Sequence, residues 1–324
     1  MNILDNFYGK TVVVTGASGY IGSVLVDALL THSCKVIRVS RVDLEPLADT
    51  KTLKADVRNA GTWAEIVERA DIIYHLAGNT SVYEAARNPA ESLSSTLLPI
   101  NHLVKAAQER QCKPRVVFAS TATVYGLTTQ LPVAENIEPK PITVYDLHKL
   151  FAEQQLALAT EQGFLDSVSL RLANVYGPST SVSSADDRGI LNRVTAMALQ
   201  GNDLKVYGDG NYLRDYVYID DVVDVFVAAG LKSQKFNGVF NVGTGNGVTV
   251  YDAFYMVADR VKKVTGNSVS INVIPWPDNS NSIERRSYIA NIEGFTNALG
   301  IYPKILMSSG IDLMIKNFTN NKNK

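Results

Sequence analysis

Cysteine, clustered histidine, long apolar runs and excess charge of one sign are all scarce in this chain. There are two cysteines, Cys34 and Cys112. Two isolated thiols build neither a disulfide framework nor a metal-binding spacing, which points to reduced residues in a cytoplasmic protein. The four histidines are scattered, so no metal site is expected. No segment approaches the roughly 18 consecutive apolar residues of a membrane span. The start, Met1-Asn2-Ile3-Leu4-Asp5, lacks the basic region and apolar run of a signal peptide. The formal net charge is −1 and no long basic run precedes the C-terminal end, so nucleic acid is not an expected partner.

What is present is enough apolar residue to fill a core. The chain has 324 residues, of which 46% are hydrophobic, suiting one large domain or two coupled ones. Thr11 to Val14 is a continuous β-branched run, as in a strand buried on both faces of a parallel sheet. It leads into Thr15-Gly16-Ala17-Ser18-Gly19-Tyr20-Ile21-Gly22 and then an amphipathic stretch, Ser23 to Leu30. Strand, glycine-rich turn and helix form the setting in which backbone N–H groups and a helix N-terminus bind a diphosphate. Gly16 serves the tight turn, Gly19 the approach of phosphate, and Gly22 the packing of helix on sheet.

Lys35 to Val39 reads as the second strand. An acidic residue just after it would bind the ribose hydroxyls of NAD, and an arginine would accommodate the 2′-phosphate of NADP. Here the position carries Ser40-Arg41, with Asp43 further on. NAD and NADP both stay open, with a tilt toward NADP. Leu53 to Val57 reads as a third strand whose end, Asp56 and Val57, would meet the adenine. Asp71 to Gly78 is a fourth, ending in Leu76-Ala77-Gly78, small enough for a flat cofactor to lie against backbone. His75 is read as a packed strand residue. Glu84 to Glu109 reads as mostly helical, with Pro89 near its start and a kink at Pro99.

The fifth strand, Arg115 to Ala119, runs into Ser120-Thr121-Ala122-Thr123-Val124-Tyr125-Gly126. Hydroxyls at the carboxyl end of a parallel strand face the ligand crevice. After a proline-containing loop comes Tyr145-Asp146-Leu147-His148-Lys149. Four residues on a helix stack Tyr145 and Lys149 on one face, one turn apart. A nearby ammonium favours the phenolate, so the pair is a candidate proton-transfer device.

These motifs together resemble the extended short-chain dehydrogenases/reductases, specifically the NAD-dependent epimerase/dehydratase family acting on nucleotide sugars. The same resemblance extends to Arg171-Leu172-Ala173-Asn174-Val175-Tyr176-Gly177-Pro178, to Arg214 through Val222, and to Phe240-Asn241-Val242-Gly243. It implies an α/β fold: a Rossmann-type doubly wound parallel sheet with a smaller C-terminal α/β substrate domain. The expected division is 1–177, with 212–243 returning to it, for the dinucleotide, and 178–211 with 244–318 for the substrate. Residues 319–324 are expected to form a disordered tail.

By resemblance, Tyr145 exchanges a proton with a sugar oxygen, while Lys149 holds the nicotinamide ribose. Thr121 hydrogen-bonds the reacting oxygen, with Thr123 close by. Asn174 and Arg214 meet the nucleotide-diphosphate sugar, UDP- or dTDP-linked, and Arg285 adds to Arg214, with Arg286 the other candidate. Ser18, Tyr20 and Ile21 join the glycines in the cofactor turn. Asp146 and His148 depart from the small residues often found inside the motif. Pairing of helices near 92–109 and 145–160, through Leu103, Val104, Phe151, Leu156 and Leu158, implies a homodimer.

Three functions follow from the resemblance. A 4-epimerase oxidises and re-reduces one carbon. A 4-ketoreductase consumes NADPH. A non-catalytic dinucleotide sensor of this fold would typically lack Tyr145 or Lys149. Dehydration needs a carboxylate pair directly after Thr121, where this chain has Ala122-Thr123. The loops at 80–83 and 179–188 are expected to set sugar size.

Overall fold

The computed structural model describes residues 7–179, 189–231 and 236–321. Seven parallel strands form the main sheet: β1 (Thr11–Thr15), β2 (Lys35–Ser40), β3 (Thr50–Lys54), β4 (Ile72–His75), β5 (Arg115–Thr121), β6 (Asp166–Leu172) and β10 (Gly238–Val242). Their order is β10-β6-β5-β4-β1-β2-β3. The order reverses at β1, so a crevice opens beyond the carboxyl ends of β1 and β4, the usual ligand position in such sheets. Alternate residues of β1 feed two layers. Val12 and Val14 pack with Leu25 and Val26 of α1 (Tyr20–Leu29) and Phe226 of α8 (Ile219–Leu231). Val13 packs with Trp63 of α2 (Ala60–Arg69), Leu103 of α5 (Leu98–Arg110) and Leu156 of α6 (Val144–Glu161).

A smaller unit flanks this sheet. Strands β7 (Asn174–Tyr176), β9 (Leu213–Tyr218) and β11 (Gly247–Thr249) form a three-stranded sheet, and β8 (Leu204–Tyr207) pairs in parallel with β12 (Ile271–Ile274). Helices α7 (Ile190–Leu199), α9 (Val250–Thr265) and α11 (Met307–Asn321) cover them around one core. Of the returning stretch 212–243, α8 and β10 join the main sheet, whereas β9 pairs with β7 and β11.

Several expectations are corrected. The third strand ends at Lys54, so Asp56 and Val57 lie beyond it, in the turn before α2. The long helix is three: α3 (Val82–Arg87), α4 (Pro89–Thr96) and α5. Pro89 and Pro99 each sit in a first turn, where a missing N–H costs nothing. Of the expected tail, 319–321 are the last residues of α11. In α11, Ile311, Met314 and Ile315 are buried at spacings of three and four, under an Asn/Lys-rich exterior. Residues 1–6, 180–188 (most of the expected sugar-size loop), 232–235 and 322–324 lie outside the described set. Leu103 and Leu156 are buried under their own sheet, and Val104 packs beside them, while Phe151 and Leu158 are exposed. No described helix is long and apolar enough to cross a membrane.

One buried ion pair fastens α6 to the sheet. Arg171 of β6 donates to both oxygens of Glu153, closest at 2.6 Å, with the two side chains 4% and 2% exposed. Ser120 of β5 donates to the same carboxylate, and the guanidinium lies over the Tyr125 ring. Removing one member strands the other charge. Arg171→Met is therefore expected to lower the unfolding free energy by about 3–5 kcal/mol, and Glu153→Gln/Arg171→Met by distinctly less, as read by chemical denaturation.

Candidate active site

The glycine turn is built as its spacing requires. Gly16 has φ +69°, and a Cβ there would lie 2.8 Å from the Ala77 nitrogen. A Cβ on Gly22 would lie 2.2 Å from the Gly16 carbonyl oxygen. The turn, the end of β2 and the end of β4 enclose a cavity of about 860 Å³. Gly16, Ser18, Gly19, Ser40, Arg41, Asp56, Val57, Leu76, Ala77 and Gly78 all line it. A bare-backbone cradle at a helix N-terminus, with room beyond it, fits a dinucleotide.

Other assignments shift in detail. The Tyr20 side chain turns away from this cavity, donating to the Gly177 carbonyl at 2.7 Å. Gly22 and Ile21 are packing residues of α1 rather than cavity walls. Both oxygens of Asp56 accept from Arg58, at 2.6–3.0 Å. This bond holds the Asp56 carboxyl below its usual range, and Arg58 also reaches Glu91 at 3.0 Å. Ser40 is buried, 3.3 Å from the Ser18 hydroxyl, and Arg41 is exposed on the wall. Asp43 instead pairs with Lys54 at 2.6 Å.

At the same carboxyl end of the sheet, α6 presents the motif. Thr143 caps the helix, accepting from the Asp146 N–H at 3.1 Å. Tyr145 is half-buried. Lys149 is 5% exposed, donates to the Ala119 carbonyl at 2.8 Å, lies over the Phe118 ring, and sits near Gly78. Burial pushes its ammonium down to about 8. Thr121 ends β5, its hydroxyl 2.8 Å from that of Thr123. Thr123 is buried, and its hydroxyl donates to Asp146. His75 is fully buried, 2.7 Å from the Thr15 hydroxyl, and burial pushes its imidazole down to about 3. It is a neutral core residue, as expected.

A second cavity of about 510 Å³ lies against the small unit. Asn174, Arg214 and Arg286 line it, and it shares Tyr83 and Glu284 with the first cavity. Arg214 is largely occupied by backbone, donating to the carbonyls of Glu284 at 2.6 Å, Leu213 at 3.0 Å and Arg286. Arg285 is not on this wall. It is exposed, its guanidinium 5.7 Å from the centre of the Trp276 ring. Arg286 takes the place, and its buried Nε has no hydrogen-bond partner among the described residues. Adjacent arginines at the end of a single 3-10 turn, Ser282–Arg285, carry no periodicity to say which points inward. Arg58 and Trp276, also cavity residues, gave no motif signal.

A sequence model of the NAD dependent epimerase/dehydratase family matches residues 12–243, and the chain belongs to that family. UDP-glucose 4-epimerase of Mycolicibacterium smegmatis is 29% identical over 318 residues, 95% of this chain and 98% of that protein. The solved UDP-glucose 4-epimerase of Thermotoga maritima with UDP-glucose is 28% identical, with TM-score 0.85 over 96% of this chain and 99% of that one. The Thermus thermophilus UDP-glucose 4-epimerase complex with NAD is 26% identical, with TM-score 0.82 over 95% and 99%.

Two outcomes follow. Gly22→Ala should lose dinucleotide binding in calorimetry and about 1–3 kcal/mol of stability, although alanine is the better helix former. Lys149→Met should gain stability. The folded-state ammonium titrates near 8, below its unfolded value of 10.5. The burial penalty is therefore complete below pH 8 and fades as pH rises toward the unfolded value. The variant should exceed the wild type by about 1–3 kcal/mol at pH 7. The two should converge near pH 11 in denaturant melts.

Proposed function

We propose that this chain is a nucleotide-sugar 4-epimerase, with Tyr145 as acid and base. The observation that carries the reading is the position of one helix face. Tyr145 and Lys149 lie one turn apart, with Lys149 bonded to the end of β5 and close to Gly78 on the wall of the dinucleotide cavity. The second cavity offers Asn174, Arg214 and Arg286. When bound, NAD supplies a hydride acceptor and donor. Tyr145 takes the proton of the sugar 4-hydroxyl and returns it to the same oxygen once the 4-keto sugar has turned over and C4 is reduced on its opposite face. The Lys149 ammonium favours the phenolate and holds ribose, and Thr121 hydrogen-bonds the sugar oxygen.

Arg286 and Arg214 suit the diphosphate of a UDP- or dTDP-linked sugar, because a guanidinium offers a fork of donors. The unpartnered Nε makes Arg286 the stronger of the two. This reading uses the small unit as substrate domain and the main sheet as dinucleotide domain. Exposed Leu147, Phe151 and Leu158 on α6 and Leu93 on α4 support a homodimer through these helices.

A second reading, a 4-ketoreductase using NADPH, is favoured by one feature. Arg41 and Ser40 stand on the cavity wall while Asp43 is turned to Lys54. Purified protein given UDP-glucose without added cofactor should form the C4-inverted product, and Tyr145→Phe should lower turnover by about 10³-fold. No inversion, with NADPH consumption on a 4-keto sugar nucleotide, would replace the first reading by the second. Unchanged turnover in Tyr145→Phe would remove Tyr145 from the chemistry.

A further inference from the structure

Asp146, the residue after Tyr145, is fully buried although it lies within the catalytic motif. Its Oδ2 accepts from the Thr143 hydroxyl at 2.6 Å, which suffices for helix capping. Its Oδ1 does something else. It accepts from the Thr123 hydroxyl, which in turn lies 2.8 Å from the Thr121 hydroxyl. The three groups form one chain ending at Thr121, the side chain assigned to the reacting oxygen, whose hydroxyl also accepts from the Thr123 N–H at 3.2 Å and so keeps one further position for the substrate.

A hydroxyl has one proton to give. With Asp146 ionised, Thr123 must donate to it, so Thr121 must donate to Thr123. Thr121 then offers the cavity only a lone pair, suited to a sugar hydroxyl. With one proton on Asp146 Oδ1, every bond reverses. Asp146 donates to Thr123, Thr123 to Thr121, and Thr121 donates outward, suited to a ketone. An epimerase must hold both forms of its substrate within one turnover.

We propose that Asp146 is a positioning residue that sets the polarity of the Thr123–Thr121 hydroxyl chain, and with it whether Thr121 accepts from or donates to the reacting sugar oxygen. The inference rests on the epimerase reading above. The surroundings suit a switch between two states. Burial raises the Asp146 carboxyl above its usual range, while the hydroxyls of Thr123 and Thr143 and the charge of Arg286 pull it back. Arg286, from the 282–286 segment, is the one charged side chain acting on it among the described residues, and it also lines the substrate cavity.

Asp146→Asn separates this role from capping. Its amide oxygen can keep the Thr143 bond, which leaves the amide nitrogen to donate to Thr123. The chain is then fixed in the direction suited to a ketone. The expected result with UDP-glucose is a fall in turnover of about 10-fold or more, with KM within about threefold. The fraction of bound cofactor in reduced form, read at 340 nm, should rise. Thr123→Val breaks the chain while leaving the cap, and Asp146→Asn on that background should change nothing further. Wild-type turnover and 340 nm absorbance in Asp146→Asn, or two effects that simply add, would overturn the proposal.

If Asp146→Asn fails to fold, Thr123→Val decides, and full activity in it overturns the proposal. If the wild type converts no nucleotide sugar, the epimerase reading fails separately. Infrared difference spectra across a pH titration then decide the chain. They should show a carboxyl band that shifts in Thr123→Val and vanishes in Asp146→Asn, and its absence would overturn the inference.

Discussion

The buried contact between Glu153 and Arg171 sets the position of everything else in the site. Tyr145, Lys149 and Glu153 follow at intervals of four, so they share one face of α6. Glu153 is tied to β6 through Arg171 and to β5 through Ser120. Fixing the third member against two strand ends fixes the height and rotation of the other two. Lys149 then reaches the Ala119 carbonyl, and Tyr145 stands one turn before it on the same helix face. An ion pair of this kind adds little net stability over an apolar pair. Its contribution is orientation: an apolar contact would allow the helix to slide, whereas a bidentate pair has one register.

That orientation is reached at an energetic cost elsewhere. Lys149 is placed where its charge has a carbonyl and a ring face but no carboxylate bonded to it. The resulting depression of its ammonium is a stored penalty that an anionic dinucleotide can relieve. The stability of the empty protein and its readiness to bind are therefore opposed at one atom. The Gly16–Gly22 contact works in the other direction. It is a tight backbone approach that a side chain of any kind would spoil, and it holds the mouth of the cavity without charge.

What could be read from the sequence was local. Glycine spacing, β-branched runs and the four-residue interval in α6 each encode a geometry within one or two turns of chain. They located the crevice, the cradle and the helix face. What could not be read depended on partners distant in sequence or on direction within irregular segments. Asp56 looks available for adenine until Arg58 folds back on it. Arg285 and Arg286 are indistinguishable until the 282–286 segment packs against Arg214. The last residues of α11 look like a polar tail because Asn and Lys dominate them, while the buried stripe of that helix, Ile311, Met314 and Ile315, lies earlier. Burial there is decided by the stripe and not by the mean.

The two departures inside the motif bear on how much of a family's chemistry a motif carries. His148 and Asp146 replace small residues, and each would be costly if left alone in a dry helix interface. Neither is alone. His148 meets the Ser92 hydroxyl at 2.9 Å, joining α4 to α6, and Asp146 is held by two threonines from different segments. Ser92, Thr123 and Thr143 are thus matched to the departures, and the helix keeps its place. Both substitutions lie on the buried side of α6, beneath the face that carries Tyr145. They change what supports the reactive groups without changing the groups. A change of that kind leaves a motif recognisable while altering which protonation and hydrogen-bonding states its members can adopt.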